Sequence, residues 1–186
     1  MLQFPEWYVK PKPIIDYIEK CLQTKDPFAM LFVGKVGCGK TYLAEQVYNY
    51  VETENANNHR IKMLFSSAAE VYREYLAALT KQNSDKNDLI ARIESYLTWD
   101  VVVLDDLGKE MDTGAAKTFF SNLLCIQYDA FREGKLNRSI ITTNYSGDQL
   151  KQLYGEHVVS RLVEYYTIVE FKAGDYRMAK AKKVIG

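Results

Sequence analysis

One eight-residue run limits this chain more than any other feature: Gly34-Lys35-Val36-Gly37-Cys38-Gly39-Lys40-Thr41, preceded by a short apolar stretch at 29–33 and followed by the helical Tyr42-Leu43-Ala44. Glycines at 34, 37 and 39 let the backbone turn tightly and point its N–H groups inward, forming a nest for phosphate oxygens. A helix starting near Lys40 adds its N-terminal dipole to the same anion. In a loop of this kind the lysine, Lys40, reaches the β- and γ-phosphates of a nucleotide, and the hydroxyl of Thr41 ligates Mg²⁺. The candidate nucleotide-binding surface therefore runs through Gly34, Lys35, Val36, Gly37, Cys38, Gly39, Lys40, Thr41 and Tyr42. A chance glycine-rich turn would need neither the strand before it nor the helix after it.

A strand–loop–helix unit needs further strands beside it. Four more short apolar runs follow, at 61–65, 101–104, 139–143 and 167–171, alternating with helical patterns. Continuous apolar runs alternating with helices predict a five-stranded parallel sheet with helices on both faces, an α/β fold. A short amphipathic helix precedes the sheet, with Ile14, Ile15, Tyr17, Ile18 and Leu22 near one face and Asp26-Pro27 as its breaker. Residues 68–79, 89–97 and 113–131 read as helices, the last capped by Thr113 or Asp112. The polar, asparagine-rich 52–60 reads as a loop. All four prolines fall in the first 27 residues, among Phe4, Trp7 and Tyr8. Residues 1–28 are thus expected to be an extended lead-in with a short helix, and 29–186 one compact domain.

Charge narrows the partners. Lysine plus arginine and aspartate plus glutamate number 24 each, so no global field draws the chain onto nucleic acid. Any DNA contact must come from a local stripe or from several subunits together. No apolar run approaches the roughly 20 residues that cross a bilayer, and the proline-bearing start argues against a signal peptide. Cys21, Cys38 and Cys125 form no metal-ligand pattern, and a disulfide at Cys38 would obstruct the loop, which favours a reducing cytoplasm. His59 and His157 stand alone.

Two strand ends carry the remaining chemistry. Val101-Val102-Val103-Leu104 runs into Asp105-Asp106, an apolar strand whose tip enters the crevice where open α/β sheets bind ligands. In phosphate-loop enzymes the first acid, Asp105, holds Mg²⁺ through water, and the second, Asp106, is placed to polarise the attacking water. An acidic turn capping a helix is the bland alternative. The second strand ends in Thr142-Thr143-Asn144. If it lies between the phosphate-loop strand and the acidic one, the Asn144 amide emerges beside the γ-phosphate, where it donates to phosphate and orients water. Without that placement, asparagine after a strand is an ordinary turn residue.

Together, the loop 34–41, the strand 101–106 with Leu107-Gly108, the Thr142-Thr143-Asn144 tip and Val159-Ser160-Arg161-Leu162 resemble the AAA+ ATPases of the DnaC, DnaI and IstB group, from about residue 29 to 177. The resemblance implies ATP as the nucleotide, the AAA+ strand order with the Asn144 strand in the middle, and self-association through the ATP site. It implies that Arg161 is an arginine finger reaching a neighbouring subunit's γ-phosphate. It likewise implies that Arg177, in Asp175-Tyr176-Arg177, is a sensor contacting nucleotide in its own subunit. The segment 65–72 resembles a region whose helices, in DNA-binding members, face a central channel. Arg73, Lys81 and Lys86 are placed to touch phosphates there, although a solvated helix face explains them equally well, and the basic tail Lys180, Lys182 and Lys183 reads as a solvated terminus.

The chain departs from loaders of this group in two places. About 28 residues precede the first strand, fewer than a helicase-gripping N-terminal domain needs, and barely fifteen follow Phe171, so little or no C-terminal lid is expected. The resemblance implies a helicase loader or its ATPase module, slow without its partner, acting on a replicative helicase and single-stranded DNA. An IstB-like transposition ATPase that binds duplex DNA and directs a transposase is the alternative. A small-molecule kinase fits less well, because no arginine-rich lid for a second substrate is evident.

Overall fold

The computed structural model describes residue 2 and residues 12–24, 26–55, 62–79, 99–109, 112–134, 138–172 and 174. In chain order these form α1 (Lys12–Thr24), β1 (Phe28–Gly34), α2 (Lys40–Asn55), β2 (Met63–Ser67), α3 (Ala68–Leu79), β3 (Val101–Leu107), α4 (Gly114–Arg132), β4 (Arg138–Thr143), α5 (Gly147–Tyr154), α6 (Glu156–Tyr165) and β5 (Thr167–Phe171). The expected helix at 89–97, the aromatic lead-in and the basic tail lie outside the described residues.

The apolar runs of the inner strands split, residue by residue, between two faces, as a period of two requires, whereas the edge strand β5 buries only Val169 and Phe171, both on one face. In β1, Phe28, Met30 and Phe32 join Ile18 of α1 and Leu43 and Val47 of α2 in one core. Ala29 and Leu31 enter the opposite core with Phe120 and Leu124 of α4 and Leu162 of α6. The neighbouring Ile140 and Ile141 of β4 divide in the same way. Phe32 and Phe120 are fully buried, and each such side chain contributes roughly 1.5–3 kcal/mol by leaving water. Residue Leu2 joins the α1 face, its N–H donating to Glu19 Oε1 at 2.7 Å.

The five strands are parallel in the order β2-β3-β4-β1-β5. β4 therefore lies between β1 and β3, the placement the Asn144 chemistry requires. Local signals end the helices where the chain must turn. Thr113 caps α4 by accepting from the N–H of Ala116, and Ser146 with Gln149 forms a reciprocal capping box on α5. Gly155, at φ 95°, makes the corner between α5 and α6, a backbone shape that side chains disfavour.

Several sequence expectations need correction. Tyr17 is 44% exposed, and Cys21 completes the buried face of α1 with Ile15 and Ile18. Residues 52–55 belong to α2, not to a loop. The buried Val51 anchors the last turn, and Thr53 Oγ1 donates back to the Asn49 carbonyl at 2.8 Å. β3 reaches Leu107, three residues past its apolar run. Patterning had not singled out α5 and α6, which are short and separated by one residue.

Candidate nucleotide-binding site

Three strand ends meet at one cavity of about 240 Å³, lined by Val36, Gly37, Gly39, Lys40, Thr41, Tyr42, Glu45, Asp106, Lys109 and Asn144. Its floor is the loop between β1 and α2. Gly37 and Gly39 adopt φ of 78° and 94°, the left-handed region that lets N–H groups of a nest converge. Gly34 is needed for another reason: a Cβ there would lie 2.6 Å from the Phe171 carbonyl oxygen of β5. Cys38 turns away from the cavity into the core, 1% exposed.

Lys40 is 4% exposed, and a buried ammonium must have its hydrogens satisfied. It donates to the carbonyls of Gly34 at 2.8 Å and Lys35 at 2.9 Å, and to Asn144 Oδ1 at 2.8 Å. The other end of the same amide, Asn144 Nδ2, donates to Asp106 Oδ1 at 3.2 Å. Asn144 thus ties the loop lysine on one side of β4 to the second acid on the other.

The two acids occupy a bulge. Leu104 pairs with Ile141 and Leu107 with Thr143, so Asp105 and Asp106 together oppose the single residue Thr142. Thr142 Oγ1 bridges the extra residue, donating to Asp105 Oδ1 at 2.6 Å and accepting from the Asp106 N–H at 2.9 Å. Asp106 consequently sits at φ 57°, a region aspartate tolerates better than most residues. In a regular strand adjacent side chains point to opposite faces; here the bulge lets both carboxylates serve one cluster. Asp105 Oδ1 also accepts from Thr41 Oγ1 at 2.9 Å. Asp105 is only 9% exposed, and its bonds come from two neutral hydroxyls. A buried carboxylate beside a hydroxyl, both hard oxygen donors, suits a magnesium ion.

Sequence reasoning missed three members of this cluster. Thr142 lies near the end of β4, two residues before Asn144, which follows the strand. Glu45 follows Thr41 by one helical turn. Burial, reinforced by the Asp105 charge, pushes its carboxyl up; burial and then Glu45 push the Tyr42 phenol up. Lys109 Nζ pairs with Asp106 Oδ2 at 2.7 Å. Arg161 is not part of the cavity: it lies on α6 with its guanidinium 5.3 Å from the centre of the Tyr128 ring. Arg73 is exposed on α3. Arg177, Lys81 and Lys86 lie outside the described residues.

Residues 10–184 match the family described as IstB-like ATP binding protein. Among solved structures, the chain is similar to the DnaC helicase loader at 25% identity and a TM-score of 0.70, covering 91% of this chain and 94% of that one. It is similar in fold to DnaI, at 18% identity and a TM-score of 0.62 over 91% of this chain and 87% of that one. DnaA from Aquifex aeolicus with AMPPCP bound is alike in fold at 16% identity and a TM-score of 0.67, over 94% of this chain and 50% of that one. No protein of curated function matches the chain in sequence.

Proposed function

The chain belongs to the IstB-like ATP binding protein family, in the DnaC/IstB group of AAA+ P-loop ATPases, and on that premise we propose that it is a magnesium-dependent helicase loader, working as an oligomer in DNA replication. The observation that carries the chemistry is the Lys40–Asn144–Asp106 connection across three strands. Residues 29–186 act as the ATPase domain, and 1–28 as its lead-in.

Lys40 and the N–H groups of the loop from Gly34 to Tyr42 bind and orient the polyphosphate. Thr41 and Asp105 are the residues to hold magnesium, which when bound neutralises charge on the phosphate oxygens. Asp106 accepts a proton from the attacking water, and Asn144 keeps that carboxylate and the loop lysine in register. Arg161 acts on the γ-phosphate of an adjacent subunit, where positive charge stabilises the transition state. Arg177 contacts nucleotide in its own subunit. Turnover by a dilute chain is accordingly slow.

The loader reading draws support from the likeness to the DnaC helicase loader over nearly the full length of both chains. The family match favours a second reading, an ATPase that binds duplex DNA and directs a transposase. Fluorescence anisotropy with labelled single-stranded and duplex oligonucleotides, in ATP, separates the two. Preference for the single strand, with co-purification of a hexameric helicase, supports the loader; preference for duplex supports the transposition ATPase. Binding of neither, with no helicase captured, would leave an ATPase without a role on DNA.

A further inference from the structure

Lys109 has no part in the reaction described above, yet the backbone builds it into the cavity. The bulge puts Asp106 at φ 57°, and the turn closes with the Lys109 N–H donating to the Asp106 carbonyl at 3.1 Å. Gly108 completes the turn at φ 99°, and a Cβ there would lie 2.3 Å from the Tyr145 ring. The turn brings Lys109 Nζ to 2.7 Å from Asp106 Oδ2, while Asp106 Oδ1 accepts from Asn144. Both oxygens of Asp106 are thus occupied, one by a cation and one by a neutral amide. Lys109 and Asp106 both line the cavity that takes the polyphosphate.

Phosphate oxygens and an unpaired carboxylate in one cavity repel each other, and the phosphate added in going from diphosphate to triphosphate feels that repulsion most. We propose that Lys109 is a positioning residue that neutralises Asp106, so that the cavity binds a nucleoside triphosphate in preference to a diphosphate. This rests on the ATPase reading above. Lys109 acts through Asp106 and makes no contact of its own with phosphate. The pair is partly exposed, with side-chain exposures of 42% and 32%, so its effect is a modest ratio and not an all-or-none switch.

Competition against a fluorescent ATP analogue, with magnesium present, measures ATP and ADP affinities for the parent, Lys109→Met, Lys109→Arg, Asp106→Asn and the double variant. The ATP-to-ADP affinity ratio should fall on the order of fivefold in Lys109→Met. It should recover in Lys109→Arg, and in the Asp106→Asn background Lys109→Met should leave it unchanged. Persistence of the Lys109→Met effect in that background would mean that Lys109 meets the phosphate directly, overturning the inference. So would equal weakening of both nucleotides, which is how a general disturbance of the fold would read. Failure of the parent to bind either nucleotide would instead bring down the ATPase reading, and this inference with it.

Discussion

The phosphate cavity and the α6 helix that carries Arg161 are built on different plans. In the cavity the central polar groups are tied across neighbouring elements: Lys40 to Asn144, Asn144 to Asp106, Thr41 and Thr142 to Asp105. Arg161, half-buried on α6, rests on the ring of Tyr128 of α4, a cation–ring contact of a kind worth about 0.5–1 kcal/mol or more. The cavity groups are held to one another within one chain, whereas Arg161 is held apart from them, outside the cavity lining. The difference teaches where to look for cooperativity. Lesions in the cavity should act at every protein concentration, and lesions around α6 only where subunits meet.

The largest effect is expected at Asp106. Asp106→Asn keeps the bulge and the size of the side chain but removes the proton acceptor, so steady-state hydrolysis should fall about 10²- to 10⁴-fold at all concentrations. ATP binding, read by competition, should survive. Retention of hydrolysis would move the base elsewhere in the cavity and break the comparison on its strong side.

A smaller effect tests how α6 is joined to the sheet. Tyr166, which follows α6, shares a 2.9 Å hydrogen bond with the buried Ser139 of β4. Burial pushes the Tyr166 phenol up to about 12, and the Ser139 bond opposes that only in part. An unfolded tyrosine titrates near 10. Between those values the native chain keeps a proton that the unfolded chain has released, so stability falls as pH rises. The loss begins near pH 10 and is complete above about 12, amounting to roughly 2–3 kcal/mol. Urea denaturation across this range should show Tyr166→Phe less stable at neutral pH yet flatter with pH. Parallel curves for parent and variant would deny that this junction is dry.

Ser146→Ala gives the smallest change. It removes the capping box of α5 and should cost about 1 kcal/mol by urea denaturation. Hydrolysis by dilute chain should be untouched, because α5 supplies nothing to the cavity.

The same contrast separates what the residues reveal in order from what only folding reveals. The inner strands β1, β3 and β4 were legible because a doubly covered parallel strand is apolar through most of its length. The edge strand β5, Thr167–Phe171, buries only Val169 and Phe171 and shows instead the alternation of a strand covered on one face. The phosphate loop was legible because its glycines and lysine meet one chemical demand at fixed spacing. The bulge was not: it exists only in the pairing of Asp105 and Asp106 with Thr142, and pairing is absent from a single run. Lys109 escaped notice because its direction is set by the backbone at Asp106 and Gly108. α5 and α6 were missed because eight and ten residues around one glycine are short for a helix, although each carries an apolar face, Leu150 with Tyr154 and Val158 and Val159 with Leu162. Tyr17 was misplaced by its aromatic character, while the helix buried the less conspicuous Cys21.

The central claim is that the active site is completed between subunits. Its most direct test is ATP hydrolysis per subunit as a function of protein concentration, for the parent chain and Arg161→Ala, with and without single-stranded DNA. The account predicts a rate that climbs steeply with concentration in the parent and stays low and flat in Arg161→Ala, while both bind ATP alike. A per-subunit rate that is flat in the parent and unchanged in the variant would contradict it, and Arg161 would then be a surface residue resting on Tyr128.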